Sequence, residues 1–140
     1  MRFFKKKRSP NKADSPAENK EFIRIETKPL LDWNEPNGEG CIVSDRITKD
    51  GWKVGYLYRD EPLADHPDSG WHFFCGDEDE DYSSNPDNFH VFALNTLCNY
   101  DPDVLPYLHG PIGTHWIRVE GGAFIPDDGE TAICLEKQDR

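Results

Sequence analysis

Four cysteines and five histidines are the residues of this 140-residue chain best suited to nucleophilic attack or metal binding. Cys41, Cys75, Cys98 and Cys134 stand far apart. They form no C-x-x-C pair, the spacing from which structural zinc sites are ordinarily built. A nucleophilic Cys needs a base within reach and a third group to orient that base. Cys75 or Cys98 with His72, His90, His109 or His115 would supply the residue types, but no local motif gathers them. Both cysteines sit in apolar surroundings, where a thiol ordinarily acts as inert core filler. No G-x-S-x-G elbow, P-loop or dinucleotide fingerprint is present. The expectation is therefore a protein that is not an enzyme and uses no cofactor. An even cysteine count leaves two disulfides open as an alternative to free thiols in a reducing compartment.

The densest charge is the run Asp77, Glu78, Asp79, Glu80 and Asp81, with Tyr82 directly after it. Carboxylates at alternate positions suggest a calcium loop, and Asp77, Asp79 and Asp81 do fill positions 1, 3 and 5 of an EF-hand. Position 6 is then Tyr82 where Gly is required, and position 12 is Asn88 where a bidentate Glu is required. The pattern fails, so no metal is expected. Ionised carboxylates are almost never buried unpaired, which places the run at a solvated rim. Five like charges repel one another and project negative potential. Asp77, Glu78, Asp79, Glu80, Asp81 and Tyr82 are accordingly the candidate partner-binding residues. Trp71, Tyr58 and Trp116 are further aromatics that could serve either as core or as interface anchors.

These residues need elements to position them. Asp68, Ser69 and Gly70 have turn chemistry and predict a strand from Trp71 to Cys75. Alternation puts Trp71, Phe73 and Cys75 on one face and His72 and Phe74 on the other. Aromatics on both faces predict an interior strand, which Gly76 ends. Cys41 to Val43 reads as a buried strand, and Trp52, Val54, Tyr56 and Tyr58 alternate through another. Between them Ser44 to Gly51 is compatible with a hairpin turn at Asp50-Gly51 or with a short helix capped by Ser44. Phe22 to Ile25 could add an edge strand. Phe89 to Ala93 predicts a strand that turns into a short helix near Leu94, and Asp101-Pro102 predicts a capped helical turn. Thr114 to Val119 and Ala123 to Pro126 form a hairpin across Glu120-Gly121-Gly122, and Ala132 to Leu135 could add a strand. The sum is an α+β domain, a mainly antiparallel sheet of short strands with one or two short helices.

The chain length fits one domain. Charge is divided unevenly: residues 1–28 carry nine Lys or Arg against four Asp or Glu, a balance of +5, while residues 29–140 carry −16. The first segment is expected to be a basic, mostly disordered tail, and residues 29–140 a single acidic domain. Between Arg59 and Arg118 there is no Lys or Arg. A field of one sign repels nucleic acid and anionic lipid and attracts a basic protein. Neither nucleic acid nor membrane is an expected partner. Phe3-Phe4 is too short a run for a signal-peptide core or a span, and a cytoplasmic protein is expected.

Several ordered motifs carry a family resemblance. They are Lys53-Val54-Gly55-Tyr56-x-Tyr58-Arg59-x-Glu61-Pro62, Asp68-Ser69-Gly70-Trp71 with Gly76-Asp77-Glu78-Asp79, Asn95-Thr96-x-x-Asn99-Tyr100-Asp101-Pro102, and Pro111-x-Gly113. From about Gly40 to Pro126 the chain resembles the bacterial immunity protein 33 family. His72 departs from it, standing where the pattern has a basic Arg, and the tail before Phe22 lies outside it. The resemblance implies a small cytoplasmic protein that binds and blocks the toxin of a polymorphic-toxin system without catalysis. An acidic domain is the complement expected for a toxin with a basic surface. A regulatory or housekeeping interaction module without a toxin partner would share the same composition.

Overall fold

The computed structural model of the chain describes residues 20–127. It is an α+β domain built on one six-stranded sheet. In chain order the elements are β1 (Gly40–Ser44), α1 (Asp45–Thr48), β2 (Tyr56–Arg59), β3 (Trp71–Phe74), α2 (Glu80–Ser83), β4 (Phe89–Ala93), α3 (Leu94–Tyr100), β5 (His115–Arg118) and β6 (Phe124–Pro126). Short 3-10 turns at Pro86–Asn88 and Pro102–Tyr107 precede β4 and follow α3. The strands lie in the order β4-β1-β3-β2-β5-β6. All pairs are antiparallel except β1 with β3.

β3 is interior, as its two aromatic faces predict. Trp71 and Phe73 are fully buried, and the Trp71 indole N–H donates to the Leu108 carbonyl at 3.0 Å. Around them Val43, Leu57 and Cys41 from the sheet meet Ile47 of α1, Leu94, Leu97 and Cys98 of α3, and Val104 and Leu108 beyond it. Removing this apolar surface from water is the main driving force for closing the helices onto one side of the sheet.

Ser44 resolves the ambiguous segment after β1. Its hydroxyl accepts from the Arg46 N–H and caps α1, and Gly51 then turns at φ 84°. At the other end of the sheet Gly70 (φ 88°) brings β3 so close to the Asp60 carbonyl that any Cβ would collide with it. Gly55 shows why the strand of Tyr56 and Tyr58 is shorter than its alternation suggests. Its N–H and C=O bond to Phe74 and Arg118, but a side chain there would press into the Cys75 carbonyl. The backbone changes course at Gly55, so Val54 is buried together with Leu57 while Trp52 is 45% exposed.

Asp101 is fully buried and holds the sheet to the turn after α3. It accepts from the backbone N–H of Val54 and Asp103 and from Arg118 Nη2 at 2.8 Å. Arg59, 5% exposed, ties the opposite end by donating to the carbonyls of Ser69 and Gly110 and pairing with Glu35. Phe22 to Ile25 form no strand. That segment instead crosses the domain as a strap. The Ile23 N–H donates to the Thr48 carbonyl, and Asn95 and Asn99 of α3 bond to the backbone at residues 28–31. The suggested strand at Ala132 to Leu135 lies outside the described residues.

Candidate functional site

The acidic run folds into a turn and the short helix α2, and its five carboxylates have different local roles. Glu78 accepts from the backbone N–H of Cys75 and Gly76 at 2.8 and 3.0 Å, fastening the end of β3. Asp79 caps α2 by accepting from the Tyr82 N–H at 2.8 Å. Asp77 pairs with Arg46 at 3.4 Å. Glu80 and Asp81 are exposed and form no ion pair among the described residues.

Tyr82 is half-buried. The Arg46 guanidinium lies over its ring at 4.6 Å, Phe89 meets it edge-on, and its hydroxyl sits 3.4 Å from both the Ser44 hydroxyl and the Asn88 carbonyl. Burial raises its pKa far above the ordinary phenol value. Tyr82 therefore serves mainly to anchor α2 to the end of β1.

The larger feature is the sheet surface beside which α2 sits. The helices that bury the core lie on one side of the sheet. Register places a different set of side chains on the other side. Tyr58 stands opposite His72 and His115, Tyr56 opposite Phe74 and Ile117, and Ile42 beside His72 and Val91. No strand position on this side is Lys, Arg, Asp or Glu.

Tyr58 is its centre. It stacks on His72 with centroids 4.6 Å apart and planes 6° from parallel, and on His115 at 5.4 Å and 17°. Tyr56 bonds through its hydroxyl to His115 Nδ1 at 2.9 Å. Burial pushes the Tyr56 phenol up to about 12, with Asp127 and Tyr58 adding to it, and burial and Asp60 raise Tyr58 in the same direction. Both phenols are neutral at physiological pH. His72 is lowered by burial, which Asp60 and Asp68 partly oppose, so it too is neutral.

Two hollows lie along this surface. One, of about 840 Å³, runs between β4 and the 60–68 loop over Ile42, His72 and Val91. Asp60, Glu61, Asp68 and Glu39 stand around it. The other, of about 400 Å³, lies over Tyr56, Phe74 and Ile117 next to Glu78 and Ser83. The face is thus an apolar, aromatic floor with acid at both ends.

Trp71 belongs to the core and Trp116 packs at 4.5 Å on Tyr107, whereas Tyr58 lies on the side that no helix covers among the described residues. The alternation of β2 and β3 identified both faces but not which one a helix would cover.

The candidate nucleophiles are not activated. Burial pushes Cys75 and Cys98 up to about 12 and Cys41 well above its ordinary value, so all three are protonated thiols near neutral pH. His90 bonds to Asp45 and His115 to Tyr56, and no Cys–His bond occurs among the described residues. Among the same residues no group of three His, Cys, Asp or Glu could hold a metal ion. No helix among them is long and apolar enough to cross a membrane.

The sequence model of the Immunity protein Imm33 domain matches residues 41–128, from the second residue of β1 past the end of β6. The chain belongs to the Imm33 immunity protein family. No curated protein and no solved structure matches it. Membership sets the protein, at the level of the family, among toxin-immunity proteins.

Within the Imm33 domain, most residues of the motifs noted above hold the fold. Gly55 and Gly70 permit close backbone approach, Asp68 accepts from the Leu63 and Gly70 N–H groups, Glu78 and Asp79 shape the turn before α2, and Asp101 is the buried tie. The strap, from Lys20 to Leu31, lies outside the matched region.

Proposed function

We propose that the protein is a non-catalytic, cytoplasmic immunity protein that neutralises a bacterial polymorphic toxin by binding and occluding it. The toxin presents a basic surface. The observation that supports this reading best is an apolar sheet face, left open by the helices among the described residues and bordered by carboxylates, in a chain of the Imm33 family. Protein interfaces combine an apolar, aromatic centre with a polar rim, and a one-signed rim accelerates encounter with a partner of opposite sign. The rim on the α2 side comprises Asp77, Glu78, Asp79, Glu80, Asp81 and Tyr82. Glu80 and Asp81 are free to face the toxin, while Asp77 adds to the field from its pair with Arg46. Nucleic acid and anionic membranes are repelled by the same charge.

The test is co-expression with candidate toxin domains, taken first from any encoded beside the gene. Growth is expected to be restored only when the immunity chain is present, and the two proteins are expected to co-purify. Continued killing despite well-expressed, folded chain refutes the reading.

A further inference from the structure

We infer that the toxin docks on the face of the sheet that no helix covers among the described residues, and that the hollow between β4 and the 60–68 loop receives a cationic segment of it with Lys or Arg side chains. This rests on the immunity reading and extends it from the α2 rim to the opposite end of the sheet. The floor of the hollow is apolar: Ile42, Val91 and His72, with Leu63 above them. Val91 is 68% exposed and Leu63 60%, the two most exposed of the large apolar side chains among the described residues. They lie at the same hollow rather than scattered.

Charge identifies the occupant. Glu39, Asp60, Glu61 and Asp68 stand around the hollow, and none of the four is ion-paired to a Lys or Arg among the described residues. No Lys or Arg occurs in the chain between Arg59 and Arg118, the stretch that supplies three of the four. Asp68 spends its carboxylate on the Leu63 and Gly70 N–H groups, and Asp60 accepts from the Glu61 N–H. Both still lie close enough to His72 to act on its charge. Lys and Arg have the matching construction, an apolar stem with a cationic head, and a guanidinium also stacks on an aromatic ring such as that of His72, which lines the hollow. An anionic lipid surface or a nucleic acid would meet four carboxylates and be repelled.

Val91→Lys puts the partner's own charge into the hollow at an exposed position, and a thermal melt checks that the fold is kept. By calorimetry its affinity for the toxin domain neutralised in co-expression is expected to fall at least ~30-fold, the scale of an interface hot spot. Asp60→Asn with Glu61→Gln is expected to lower it about tenfold. Ile23→Lys, at a 40% exposed position of the strap, is expected to leave it unchanged.

A second measurement needs no toxin: backbone-amide NMR with a short peptide of Arg and Leu, and with the same peptide carrying Glu for Arg. Shifts at Ile42, His72 and Val91 with the Arg peptide alone support the inference. Shifts elsewhere, or equal shifts with both peptides, overturn it. If wild type neutralises the toxin and Val91→Lys binds it equally well, the docking site is wrong and the immunity reading stands. If no toxin is neutralised but the Arg peptide maps to the hollow, the immunity reading falls and the chemistry of the hollow stands.

Discussion

Trp71 is fully buried at the start of β3, the strand between β1 and β2, with its indole N–H bonded to Leu108. Trp71→Ala is expected to cost roughly 3 to 5 kcal/mol through lost burial and the cavity left behind, read by chemical denaturation. A loss below about 1 kcal/mol would contradict its place in the core. His72, one residue on, faces the other way and gives a pH effect instead. Its folded-state pKa is depressed below the ordinary value of about 6.5. The unfolded chain therefore takes up the proton first as pH falls. This residue's contribution to stability is complete above about pH 6.5 and declines below it toward the folded-state pKa. His72→Phe, which keeps the stacking partner of Tyr58, is expected to reduce the fall in melting temperature between pH 7.5 and pH 5.5. Parallel curves for the two proteins would show that His72 carries no such effect.

At the scale of elements, α2 illustrates how one charge run divides its labour. Asp79 caps the helix, and Asn is as good a cap. The Asp77–Arg46 pair is partly exposed at 44% and 19%, where ion pairs contribute about 0 to 1 kcal/mol. Replacing Asp77, Asp79 and Asp81 with Asn is therefore expected to leave the melt nearly unchanged. Association with the toxin should slow and lose much of its salt dependence, since exposed charges act over a Debye length of about 8 Å near physiological salt. Stopped-flow rates across a salt series check this. Equal rates for the two proteins at every salt concentration would mean that α2 does not guide the encounter. Glu78 is left intact in this design because it fastens two backbone N–H groups at the end of β3.

For the whole molecule, the core on one side of the sheet is closed by α1, α3, the turn after α3 and the strap. The strap is itself tied down from Lys20, which pairs with Asp50, to Leu31. Residues 1–19 contain Phe3 and Phe4 but no periodic apolar pattern, so they offer little burial to offset the entropy of ordering. Removing them is expected to shift the melting temperature by no more than about 2 °C, well under the roughly 4 to 8 °C that a 1 kcal/mol change produces in a domain of up to about 100 residues. Melts of the full and trimmed chains decide it, and a large drop would make that segment part of the folded unit.

Composition, charge and local pattern located the six strands of the sheet, the interior place of β3, the Asp101 cap and the failure of the calcium and Cys–His motifs, while they left Ser44 open between a helix cap and a hairpin and offered a strand at Phe22 to Ile25 that the fold does not form. All of these depend on neighbours within a few residues, where alternation, turn chemistry and ligand spacing are written directly in the chain. Tertiary structure alone decided which face of the sheet the helices cover. The same alternation in β2 and β3 is compatible with burial on either side or both, because a strand carries no local record of where α3 will pack. That choice made Trp71 core, left Tyr58 and His72 on the uncovered face, and brought Asp60 and Asp68 next to Val91 across more than twenty residues of sequence. It also gave Asp77 of the 77–81 run its ion pair with Arg46, 31 residues away in sequence. Such partners are set by distances in space, which the order of residues along the chain does not fix.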